Sequence, residues 1–108
     1  MIGLMTTSQK RKDKRTIIMM REIARKYGYT IAVHGSQGKK DLDLIACPWV
    51  EEAISAEQLI DNLIKEIPKL HLSIPATHGK PKPFGRKAWI LVKFPFPGRI
   101  IDISVMPK

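Results

Sequence analysis

The chain has 108 residues, enough for one domain with a single core and too few for a separate recognition domain. Its 44% apolar content belongs to a globular protein, and 19 Lys and Arg against 10 Asp and Glu leave a formal +9. Such a surplus favours polyanionic partners (nucleic acid, nucleotide phosphates or an anionic surface), with solubility alone as the plainer alternative. Cys47 is the only cysteine, which excludes an intrachain disulfide and fits a reducing compartment. His34, His71 and His78 give no zinc-finger spacing with it. No apolar run is long enough for a signal peptide or a membrane span, so a soluble, cytoplasmic protein without a membrane partner is expected.

Residues 1–12, Met1-Ile2-Gly3-Leu4-Met5 and then a polar, basic run, read as a flexible arm, with the folded domain over 13–108. From about Asp13 the recurrence of Ile17, Met20, Ala24 and Tyr27 predicts a helix that Gly28 ends. Met19, Met20 and Tyr27 are assigned to the core. Tyr29–His34 is a strand of β-branched and aromatic residues, Gly35–Lys40 a polar turn, and Asp41–Cys47 a second strand stopped by Pro48. Ser55-Ala56-Glu57-Gln58 has the form of a capping box, followed by the apolar stripe Leu59, Ile60, Leu63, Ile64, Ile67 and a closing Pro68. Leu70–Ile74 alternates like a short strand between two prolines, and Thr77–Lys87 reads as an exposed basic loop. Ala88–Phe94 and Arg99–Val105 are two further strands joined by Pro95-Phe96-Pro97-Gly98. The expected fold class is α+β: a single small domain with a mixed β-sheet and helices packed on it.

The chemistry concentrates in carboxylates. Asp41 and Asp43 stand two apart in one strand, where side chains share a face and like charges repel unless a cation lies between them. Asp102 is an isolated acid in Ile100-Ile101-Asp102-Ile103-Ser104-Val105, surroundings in which an unpaired carboxylate is expensive. If the two strands are neighbours, three acids converge on one edge of the sheet and suit two magnesium ions on a triphosphate. An Asp-x-Asp alone is more often a turn end and a solvated side chain. Gly35-Ser36, directly after a strand, adds a place where a phosphate can approach backbone N–H groups and a hydroxyl.

In Val33-His34-Gly35-Ser36, Asp41-Leu42-Asp43-Leu44-Ile45 and Ile101-Asp102-Ile103 the chain resembles the polymerase-beta-like nucleotidyltransferase superfamily in its minimal, single-domain form. The wider strings Asp41–Trp49, Gly85-Arg86 with Trp89, and Ile101–Pro107 are similar to small phage-encoded nucleotidyltransferase-like proteins. The resemblance implies a palm-like mixed sheet and transfer of a nucleoside monophosphate from ATP or another nucleoside triphosphate to an acceptor hydroxyl, releasing pyrophosphate. It implies Asp41, Asp43 and Asp102 as catalytic ligands of two Mg2+ ions, or Mn2+ in their place, with Gly35 and Ser36 on the phosphates. The acceptor, with RNA and protein as candidates, stays open, as do base preference and oligomeric state.

Lys39, Lys40 and Arg86 are further candidates for the phosphates, Arg86 through paired hydrogen bonds, with solvated loop cations as the rival reading. His34 could face the site or serve structure, and Trp49 could stack on a base, whereas Trp89 begins an apolar strand and is assigned to the core. Lys10-Arg11-Lys12-Lys14-Arg15 would suit an RNA backbone or be a solvated tail. Only Gln37–Lys40 separates Ser36 from Asp41, shorter than in many members of the superfamily. Two alternatives to the enzyme therefore stand beside it: a nucleotide- or RNA-binding module of the same fold without turnover, and an antitoxin-like regulatory partner of a second protein.

Overall fold

The computed structural model describes residues 7–34, 41–73, 79–94 and 99–108. The chain order is α1 (Thr7–Lys26), β1 (Tyr29–Val33), β2 (Leu42–Pro48), α2 (Ala56–Glu66), β3 (Leu70–Leu72), β4 (Lys80–Pro81), β5 (Lys87–Lys93) and β6 (Arg99–Val105). A short 3-10 turn, Pro83–Gly85, precedes β5. The strands form one mixed sheet in the order β1-β2-β6-β5-β3, with β4 paired to β5. β1 and β5 run antiparallel to their neighbours, whereas β2 and β6 are parallel. The domain is thus α+β, two helices on one mixed sheet.

Alternation along the strands decides which face meets the helices. Tyr29, Ile31, Leu42, Leu44, Ala46, Leu91, Trp89, Ile101, Ile103 and Val105 are buried on one face, and Met20 and Ala24 of α1 with Leu59, Ile60 and Leu63 of α2 complete the same core. The residues between them, Asp43, Ile45, Ile90, Asp102 and Ser104 among others, lie on the opposite face, and that face carries no helix among the described residues. This split positions the acids away from the core.

Helix ends follow local chemistry. Ser55 accepts from the Gln58 backbone N–H at 3.2 Å while the Gln58 side chain accepts from the Ser55 N–H at 3.0 Å, the reciprocal capping box expected over 55–58. Gly28 closes α1 at φ +92°, a left-handed conformation suited to glycine, and a Cβ there would lie 2.7 Å from the Ala53 Cα. Tyr27 and Lys26 both donate to Glu66, tying the ends of the helices together and holding the Glu66 carboxyl below its ordinary range.

Two boundaries differ from expectation. The helix starts at Thr7, not near Asp13, so Lys10, Arg11 and Lys12 ride on α1 and the segment 7–12 is not a loose arm. The physical reason is long-range: the Asp13 carboxylate receives the Arg99 Nε–H at 3.1 and 3.2 Å and the Gln9 amide at 3.0 Å, anchoring that turn to the start of β6. Within the described part of the 77–87 loop, residues 79–87, β4 and the 3-10 turn are formed and Gly79 is buried against the Trp89 ring. The weak alternation after Pro68 is a strand, limited to Leu70–Leu72.

Candidate active site at the carboxylate end of the sheet

The register places Asp43 of β2 directly beside Asp102 of β6. Neighbouring strands lie about 4.8 Å apart, so two carboxylates of like charge stand side by side. Ile90 of β5 is the next partner beyond Asp102, and on the other flank the His34 N–H donates to the Asp43 carbonyl at 2.8 Å. His34, just past β1, thereby lines up with Asp43, Asp102 and Ile90 in one row across β2, β6 and β5. Asp41 immediately precedes β2 and is half-buried. β2 and β6 are interior strands, so Asp43, near the start of β2, and Asp102, midway along β6, lie in the middle of the sheet and not along its edge, as the sequence had suggested. Parallel pairing with an antiparallel neighbour on each side is what carries them inward.

The electrostatics reflect that crowding. Burial, and then the adjacent Asp43 carboxylate, push the Asp102 carboxyl above its ordinary value of 3.8. The Lys82 ammonium opposes the shift, and Asp41 adds a smaller push in the upward direction. Among the described residues Lys82 is thus a loop cation that acts on Asp102. Arg86 spends its Nε–H on the Pro83 carbonyl at 3.1 Å, and its own carbonyl accepts from the Lys82 N–H at 2.8 Å. The sequence offered no signal to prefer Lys82, because the cations of one basic loop are chemically alike.

Hard carboxylate oxygens on adjacent strands are the donor type that suits a hard divalent cation such as Mg2+. As the side chains stand, no three His, Cys, Asp or Glu groups among the described residues form a ready cage. Gly35, Ser36, Lys39 and Lys40 lie outside the described residues. Trp89 is buried in the core, as expected, whereas Trp49 is 58% exposed at the far end of β2. His34 is exposed, and Met20 is fully buried.

No protein-family model matches the chain, and no curated protein matches its sequence. Fold and side chains define a class on their own terms: a small α+β domain with a carboxylate pair on the helix-free face of its sheet. Among the described residues no helix is long and apolar enough to cross a membrane.

The pair makes a stability prediction. A carboxyl whose folded pKa is raised is penalised once the unfolded chain has ionised, so stability is lost as pH rises from the ordinary aspartate range through the folded value. Asp102→Asn is therefore expected to melt a few degrees higher than the native chain at neutral pH without divalent ions, and at the same temperature at pH below 3.8. Adding Mg2+ should raise the melting temperature of the native chain more than that of the variant. Thermal melts across pH, with and without Mg2+, check both signs.

Proposed function

We propose that the chain is a magnesium-dependent nucleotidyltransferase of the cytoplasm that moves a nucleoside monophosphate from a nucleoside triphosphate to an acceptor hydroxyl and releases pyrophosphate. The observation that carries this reading is the register pairing of Asp43 with Asp102 on the helix-free face, with Asp41 within electrostatic reach. Asp41, Asp43 and Asp102 would hold the Mg2+, which when bound offsets charge on the phosphates and lowers the pKa of an acceptor hydroxyl. In this reading Asp102 would also help to activate that hydroxyl as the nucleophile. Lys82 contributes positive charge beside the triphosphate. Gly35 and Ser36 would contact its phosphates, with Lys39, Lys40 and Arg86 as further cationic contacts.

Calorimetric titration with ATP and the other nucleoside triphosphates tests the reading before an acceptor is known. One-site binding that requires Mg2+ and disappears in Asp43→Ala is the expected result. Absence of Mg2+-dependent heat, together with no labelling of RNA, protein or small alcohols from an alpha-labelled triphosphate, would sink it. A second reading, a nucleotide-binding module without turnover, rests on the short Gln37–Lys40 spacing and the +9 charge. It keeps the calorimetric signal and gives no labelling.

A further inference from the structure

The amino-terminal half of α1 is charged against its own stability. Five cations occur among the six residues Lys10–Arg15, and the first turn of the helix has no acidic residue. Cations at that end oppose the helix dipole, and Lys10 with Lys14 and Arg11 with Arg15 are like-charged neighbours one turn apart. The only acid in the stretch, Asp13, is buried and already neutralised by Arg99. Lys10, Arg11, Lys14 and Arg15 are all exposed, and none has an ion-pair partner among the described residues. A fold gains nothing from this arrangement, whereas a polyanion on the outside of the helix would relieve it.

The position of the patch is equally defined. α1 packs against β1, and its chain turns back at Gly28 into that strand, so the start of the helix lies at the end of the sheet where β1 finishes and β2 begins. The Asp13–Arg99 bridge fixes that end, and Arg99 lies only three residues before Asp102 on β6, about 10 Å along the strand. We propose that the exposed face of α1 around Lys10, Arg11, Lys14 and Arg15 binds the phosphate backbone of a single nucleic-acid strand, at the same end of the domain as the carboxylates.

A single strand suits the site better than a duplex. To pass from the outer side of the helix layer to the helix-free face, the ligand must turn around the end of the sheet, and duplex DNA resists bending over such lengths. A membrane suits it less, because the apolar side of α1 (Met20 and Ala24, with Ile17 and Ile23 packed alongside) is committed to the core and cannot insert. That a bound strand would present an end to the carboxylates, and with it the preference for a single strand, rests on the proposed transferase reading; binding of a nucleic-acid backbone to α1 does not.

Fluorescence anisotropy with a labelled oligouridylate tests the surface. The variant Lys10→Gln/Arg11→Gln/Lys14→Gln/Arg15→Gln, which retains good helix formers, should bind more than tenfold more weakly at low salt, with the salt slope reduced by about 2 to 3. The control Lys65→Glu/Lys69→Glu removes the same four charges at the end of α2 and the start of β3 and should bind nearly as the native chain does. Equal losses in both variants would reduce the effect to net charge and overturn the proposal. So would unchanged binding in the α1 variant, tighter binding to duplex DNA than to the single strand, or capture by phosphatidylserine vesicles without capture of RNA. Circular dichroism confirms that α1 is intact in the variant. The α1 variant should retain Mg2+-dependent nucleotide heat, so that failure of the surface and failure of the transferase reading are separately visible.

Discussion

Asp41→Ala/Asp43→Ala is expected to lower Mg2+-dependent transfer from an alpha-labelled nucleoside triphosphate by about a thousandfold or more. Divalent ions contribute several kcal/mol of charge stabilisation in phosphoryl-group chemistry, and each ~1.4 kcal/mol is a factor of ten in rate. The variant loses half-buried acids from the end of β2, one of them paired in register with Asp102. It also removes two carboxylates that raise the Asp102 pKa, so that group should return toward its ordinary value. A thermal melt of the variant in metal-free buffer checks that its fold is retained. A stable but inactive protein separates lost chemistry from lost folding. Retention of labelling by the doubly substituted chain would move the reacting centre away from these acids altogether.

The fold was legible where it rests on short-range patterns. Alternation of Leu42, Leu44 and Ala46 with Asp43 announced a strand with one buried face, and Ser55 with Gln58 announced a helix start. The pairing that builds the site was not legible in that way. β6 inserts between β2 and β5, and neighbour choice depends on packing across the whole sheet, with no local signature. Hence the meeting of Asp43 and Asp102 could be posed only as a condition on strand adjacency, and their interior position was missed. The start of α1 was misjudged for a related reason. Lys, Arg and Gln are good helix formers, but a cation-dense stretch without apolar periodicity looks like a tail until its partner is known. That partner, Arg99, is 86 residues away. Lys82 illustrates the remaining limit, since only placement distinguishes it from Arg86 in one basic loop.

The same distant contact should dominate the stability of the amino-terminal half. Asp13→Ala is expected to destabilise the protein by about 3 kcal/mol, lowering its melting temperature by on the order of 10 °C. Asp13 and Arg99 expose only 8% and 14% of their side chains, so the remaining guanidinium would be left beneath the helix with its main counter-charge gone. An exposed pair would lose far less and would lose it in salt; this one should keep most of its effect in concentrated salt, because water and ions reach it poorly. Asp13→Leu/Arg99→Met, which removes both charges and leaves apolar volume, should recover much of the loss. Hydrogen exchange would localise the effect: amides of the first turns of α1 should lose protection in Asp13→Ala before those of Met20–Lys26, which remain tied to the core and to Glu66. A melting point within a degree of the native value would mean that helix propensity alone holds Thr7–Arg15. In that case α1 would present its cations without a fixed relation to the carboxylates. The expected outcome is the opposite, a basic helix face held in a fixed relation to the acidic centre by the buried Asp13–Arg99 ion pair.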